Sequence, residues 1–262
     1  MKDIVKVSIV IPVCDRLDKL IKTIESVDQQ SFQDFEVIIV ENNSVNPELI
    51  ASFVNSLDMN IKYYSMDICS NTNVARNFGA DNSSGEFIAF LDSDDIWDST
   101  HLERALSFLE STKAEFVYGG AKIFDGNVYK IRKARDLNKF ESPVDYILGF
   151  CGGYAQTSSY IIHRQAFNLV RWDEELKRSQ DLDFFIRAAS ALKCCCLPVI
   201  TVTIVWLRSE QRSFNIPASL KFFSKYRNAM KLSTKLRFFL ILFKISIITK
   251  DSYLLNYFFR RS

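Results

Sequence analysis

Residues 7–91 of this chain switch repeatedly between two hydrophobic periods, and that switching constrains its fold more than any other feature. Val7-Ser8-Ile9-Val10-Ile11-Pro12-Val13 is a nearly continuous apolar, β-branched run, the pattern of a strand covered on both faces. Leu17, Leu20, Ile21, Ile24 and Val27 then recur at the 3.6-residue period of a helix, with Asp15 as its expected N-cap. The pattern returns to strand at residues 35–40 and 61–65, to helix at 73–80 ahead of Gly85, and to strand at 87–91. Thr100 and Glu103 read as a capping box before a helix marked by Leu102, Ala105, Leu106 and Leu109. Regular alternation over roughly the first 120 residues predicts a parallel sheet covered by helices, with ligands at the carboxyl ends of its strands.

The chain has 262 residues, 48% of them hydrophobic, enough to bury one large core or one core plus a small appendage. No repeat, low-complexity tract or flexible linker interrupts residues 1–212, which read as one domain. Residues 213–262 read as a basic, aromatic-rich helical tail. Residues 221–262 hold ten Lys or Arg and one acid, Asp251, so that segment carries +9 and the rest of the chain −7. Such asymmetry predicts an anionic partner for the tail. Its apolar runs at 238–243 and 245–248 are broken by Lys244, too short for a spanning helix but suited to one lying in a membrane interface. The alternatives are a helical pair packed on the main domain, or a contact between copies in a homo-oligomer. Six cysteines without paired CxxC spacing, and a strand-like segment starting directly after Met1-Lys2-Asp3, point to reduced thiols and no signal peptide. The expected location is cytoplasmic, peripheral on the inner face of the membrane.

Asp92-Ser93-Asp94-Asp95 ends the strand at 87–91. Several acids delivered to one turn form hard oxygen ligands, as a divalent cation carrying a diphosphate requires. Alone, the cluster also reads as an Asx turn or a helix cap. Neither GxGxxG nor GxxxxGK[ST] occurs, which argues against a dinucleotide-dependent dehydrogenase and a P-loop enzyme. The two histidines, His101 and His163, belong to no His/Cys cluster, so zinc is not expected.

Three segments together carry a resemblance. The first is the strand at 7–13 with its helix and Gln30-Ser31-Phe32-Gln33-Asp34-Phe35-Glu36-Val37-Ile38-Ile39-Val40. The second is Asn73-Val74-Ala75-Arg76-Asn77-Phe78-Gly79 running through Gly85-Glu86 to the acids; the third is Gln180-Asp181-Leu182-Asp183-Phe184-Phe185-Ile186-Arg187. Over residues 5–213 the chain resembles a family 2 glycosyltransferase of the GT-A fold, of the bacterial surface-polysaccharide type. The resemblance implies an inverting sugar transfer from a nucleotide-diphosphate donor to a hydroxyl of a saccharide or lipid-linked saccharide. Asp94, supported by Asp92, matches the position that binds Mn²⁺ or Mg²⁺. Pro12, Val13, Glu41, Asn42, Arg76, Asp92, Ser93 and Arg208 match donor-binding positions, and Asp181 matches the general base. The irregular, glycine-punctuated half after Glu115 would shape the acceptor side.

Three positions depart from the family pattern: Asn42 stands where a base-facing acid is usual, Gln180 where Glu is frequent, and Gln211 where His is common. They leave open a GT-A-fold binding or assembly protein that has lost turnover. A nucleotidyltransferase also combines such a sheet with metal-binding acids, but it would need a glycine-rich phosphate loop where this chain has Val13-Cys14-Asp15-Arg16. No nucleic-acid partner is expected.

Overall fold

The computed structural model describes residues 5–66, 71–176, 178–206 and 215–249. The first half contains β1 (Val7–Val13), α1 (Leu17–Asp28), β2 (Phe35–Asn42), α2 (Pro47–Asn55), β3 (Ile61–Met66), α3 (Thr72–Asp81), β4 (Phe87–Phe90), β5 (Asp95–Trp97) and α4 (His101–Thr112). There follow β6 (Phe116–Tyr118), β7 (Ala121–Phe124), β8 (Tyr129–Arg132), α5 (Pro143–Leu148), β9 (Ile161–His163), α6 (Arg164–Val170) and α7 (Gln180–Ala191). The chain continues through β10 (Cys194–Cys196), β11 (Val202–Val205), α8 (Ile216–Tyr226) and α9 (Leu232–Thr249).

Seven strands form one sheet in the order β10-β6-β9-β4-β1-β2-β3. It is parallel except at β9, which runs antiparallel to both β4 and β6. The chain moves outward from β1 through β2 to β3, then returns to lay β4 on the other side of β1. That reversal opens a crevice at the carboxyl ends of β1, β2 and β4, where ligands of open α/β sheets bind.

The apolar runs are strands because both faces of the sheet are covered. Every residue of β1 and β2 is buried. Ile9, Ile11 and Val13 pack against Leu20, Ile24 and Val27 of α1, while Val10, Ile38 and Val40 pack on the opposite face in a core that includes Ala75 of α3 and Phe184 of α7. α3 lies so close to the sheet that a Cβ at Gly79 would stand 2.5 Å from Val10 Cγ1. A smaller sheet, β5-β11-β7-β8, is built by the second half with β5.

Two expected caps are not formed. The N-cap position of α1 is Arg16, in the left-handed region with φ 61°, and Asp15 beside it is also left-handed at φ 52°. Asp15 instead accepts a hydrogen bond from the backbone N–H of Val45 (2.8 Å), because the turn after β1 folds back onto the turn after β2. Thr100 does occupy the N-cap position of α4, but its hydroxyl accepts from Arg104 Nε (2.8 Å) and Glu103 accepts from Ser31 Oγ (2.6 Å). α2, absent from the sequence reading, starts with Pro47 in its first turn.

The described part of the C-terminal segment packs on the body. Asp183 of α7 is fully buried and meets Arg187 Nε (2.8 Å), Lys225 Nζ (2.6 Å) and the Tyr226 hydroxyl (2.5 Å). Phe222 and Met230 enter the same core as Phe184 and Phe185. α8 and α9 bury Ile216, Leu220 and Leu242 against each other. None of the described helices is long and apolar enough to cross a membrane.

Candidate active site

A cavity of about 480 Å³ occupies the crevice at the strand ends. Pro12 and Val13 line it from the end of β1, Asn42 from the end of β2, Thr72 and Arg76 from α3, and Asp92, Ser93 and Asp94 from the turn after β4. Seven of the residues expected to serve a donor or metal thus share one wall. The start of α3 also faces the cavity through Thr72, and the positive end of the helix dipole favours anions there.

The acidic turn is held from behind. Asp95 N–H donates to Asp92 O (3.0 Å), and the Asp95 carboxylate points inward, accepting from Ser158 Oγ and Gln156 Nε2. Thr23 of α1 donates to Asp95 O (2.9 Å), and Ser158 Oγ accepts from Asp92 N–H (3.1 Å). Burial pushes the Asp95 carboxyl well above the usual carboxylate range, and the charges of Asp92 and Asp94 act in the same direction. Asp95 is therefore a support of the turn, with its side chain directed away from the cavity.

Asp92 and Asp94 both carry cationic partners. Arg76 Nη2 pairs with Asp92 Oδ1 at 2.5 Å, and the guanidinium lies over the Trp172 ring at 4.5 Å from its centroid. Arg16 Nη1 pairs with Asp94 Oδ2 at 2.6 Å, with Lys19 Nζ 3.9 Å from the same oxygen. Arg16 lines the cavity, a role its sequence context does not assign to it. Its only local signal is its position in the turn that ends β1. Nothing local marks Ser158 or Gln156, which come from 60 or more residues beyond the acids.

Two buried polar atoms of the cavity residues, Asn42 Oδ1 and Arg76 Nε, have no hydrogen-bond partner among the described residues. An unmet buried polar group costs about 1–3 kcal/mol, which a ligand with matching donors and acceptors would offset. Glu41 is different: it is buried behind the wall and accepts from Ser44 N–H and Ser65 Oγ, each at 2.5 Å, so it shapes the turn and does not line the cavity. Arg208 lies outside the described residues, as do Gln211 and Arg212.

Asp181, in the first turn of α7, stands beyond the cavity wall but near enough for Asp92 and Arg76 to influence it. Its side chain is open to water yet hemmed in by protein. Desolvation raises its carboxyl above the ordinary value; Asp92 pushes the same way, while Arg76 and the backbone N–H groups of Leu182 and Asp181 oppose. Neighbouring Gln180 braces the loop by donating to Asn71 Oδ1 (2.8 Å) and Leu176 O (2.9 Å). Ser179 makes no capping bond to α7.

Among the described residues, no group of three or more His, Cys, Asp or Glu side chains could hold a metal by itself. His101 is buried, stacked on Trp97 and pushed down to about 3 by burial; His163 caps α6. Two neighbouring carboxylates on a cavity wall fit a different arrangement, in which Mg²⁺ or Mn²⁺ takes its remaining oxygens from a bound diphosphate.

The signature of Glycosyl transferase family 2 matches residues 8–175, more than half of the chain. The amylovoran biosynthesis glycosyltransferase AmsB of Erwinia amylovora is 32% identical over 197 residues, covering 72% of this chain and 65% of that protein. The putative colanic acid biosynthesis glycosyl transferase WcaA of Escherichia coli K12 is 29% identical, covering 71% of this chain and 67% of its own. The chain thus spans about two thirds of the length of these relatives. Among solved structures, S. aureus TarS 1–349 in complex with UDP superposes with a TM-score of 0.63 at 20% identity, over 76% of this chain and 60% of that one. Sheet order, family signature and structural likeness agree: the chain belongs to glycosyl transferase family 2 and has the GT-A fold.

Proposed function

We propose that the chain is an inverting glycosyltransferase that moves a sugar from a nucleotide-diphosphate donor to a hydroxyl acceptor in bacterial surface-polysaccharide synthesis. The observation that carries this reading is the single cavity that gathers Pro12, Val13, Asn42, Arg76, Asp92, Ser93 and Asp94, with Asp181 beside it. The nucleoside would lie against Pro12, Val13 and Asn42, whose free Oδ1 accepts one hydrogen bond. The diphosphate would lie against Arg76, Arg16 and the start of α3. Asp94 and Asp92 would hold Mn²⁺ or Mg²⁺, which when bound neutralises charge on the leaving diphosphate.

Asp181 supplies the base. Its carboxylate takes the proton of the acceptor hydroxyl as that oxygen bonds to the anomeric carbon, while the carbon–oxygen bond to the diphosphate breaks on the opposite side. The polysaccharide setting is supported by the names of AmsB and WcaA. A lipid-linked saccharide acceptor at the cytoplasmic face of the membrane is supported by α9, where Leu232, Leu236, Phe243 and Ile247 form an exposed apolar stripe. A helix apolar on both its packed and its open face calls for a further cover.

Asp181→Asn separates a working transferase from a binding protein that keeps the fold. The variant should bind nucleotide as the wild type does and lose sugar transfer. Transfer at the wild-type rate would remove Asp181 from the role of base.

A further inference from the structure

A second cavity, of about 360 Å³, lies between β8, the segment after α5, and α9. Arg132, Lys133 and Arg237 line it together with Gly152, Gly153 and Tyr154, and no acid is among its lining residues. No carboxylate of the described residues forms an ion pair with any of the three cations. Arg237 is held in place: its Nη1 donates to Leu148 O (2.9 Å) at the end of α5, and its guanidinium sits 5.8 Å from the Phe150 ring centroid. Three cations around one hollow, with no carboxylate of the described residues paired to any of them, suit a phosphate or diphosphate group.

Two further features say what carries that group. Leu240, Ile241 and Lys244 follow Arg237 at i+3, i+4 and i+7, so an exposed apolar track leads from the cavity along α9 with a second cation on it. On the other side, the Tyr154 hydroxyl donates to Gln156 Oε1 (2.8 Å), and Gln156 Nε2 donates to Asp95 behind the acidic turn. The cavity therefore meets an apolar track on one side and is joined through Tyr154 and Gln156 to the back of the acidic turn on the other. We propose that it binds the phosphate of the acceptor, a phosphate-bearing lipid whose hydrocarbon lies along α9 and whose head faces Asp181. This inference rests on the transferase reading.

The test uses the full chain and farnesyl diphosphate as probe, titrated with saturating UDP and Mn²⁺ so that the donor cavity is filled. Arg132→Gln/Lys133→Gln changes two exposed residues, and its melting temperature should match the wild type. It should bind farnesyl diphosphate about tenfold or more weakly. UDP binding and binding to phosphatidylcholine vesicles containing phosphatidylglycerol should be unchanged, and Arg132→Lys/Lys133→Arg should restore the probe's affinity. Unchanged farnesyl diphosphate affinity, or no binding by the wild type, would overturn the proposal. So would loss of vesicle binding alone, which would assign the cations to lipid headgroups. Failure of the transferase reading would show separately, as absence of UDP binding by the wild type before the probe is added.

Discussion

Asp94 stands in the cavity with a cation already against it, the Arg16 guanidinium at 2.6 Å. A metal must displace that contact, so Arg16→Gln should strengthen Mn²⁺ binding in the absence of nucleotide while weakening that of nucleotide diphosphate; calorimetry reads both. Weaker Mn²⁺ binding would contradict this role. For Asp181→Asn, loss of a general base predicts a kcat roughly 10²–10⁴ lower with little change in donor KM. A base at Asp181 would have to be ionised, and desolvation raises that carboxyl, so activity should fall as pH drops through a value above 3.8, the ordinary Asp value. An acid limb at or below that value would place Asp181 in an unperturbed setting. The cavity residues were legible where they end a strand, as Pro12, Val13 and Asn42 do, or come just after one, as Asp92 to Asp94 do. Arg16, and Ser158 behind the acidic turn, were not, since one depends on two left-handed residues in succession and the other on a partner more than 60 residues away.

β1 to β4 were visible as apolar runs, β1 and β2 most clearly because both of their faces are buried, whereas the short β5 was not. Caps were less legible: the side chains of Asp15, Thr100 and Glu103 were drawn to partners across the fold or one turn on. Placement of α3 depends on Gly79. Gly79→Ala gains up to ~1 kcal/mol of helix propensity but overpacks Val10 at a cost of roughly 1–3 kcal/mol, so thermal unfolding should show a net loss. A more stable variant would mean that α3 can shift. Asp183 links α7 to α8 by two polar contacts, to Lys225 and Tyr226, and pairs with Arg187 within α7, so its role in structure outweighs any in chemistry. Asp183→Ala should destabilise by about 3 kcal/mol, because it leaves Arg187 and Lys225 without their shared buried partner. Unchanged stability would show that the C-terminal helices are held by apolar contacts alone.

At the scale of the whole molecule, the charge asymmetry read from the sequence separates an acidic body from a basic C-terminal segment. The structure adds that α8 and α9 pack on that body, which composition could not decide, since apolar helices suit a lipid surface and a protein surface alike. Both uses are compatible: α9 buries one side and leaves Leu232, Leu236, Phe243 and Ile247 open on the other. Leu236→Ser/Phe243→Ser should therefore reduce flotation with anionic vesicles without lowering nucleotide affinity, and equal flotation would remove α9 as the contact. Sugar transfer in this cavity requires a diphosphate and a divalent cation to meet at the acidic turn. Titration of UDP into the wild type and Asp94→Asn, with and without Mn²⁺, tests this most directly. Binding should be enhanced by Mn²⁺ in the wild type and lose that enhancement in the variant, whereas equal affinity in all four titrations would contradict the site.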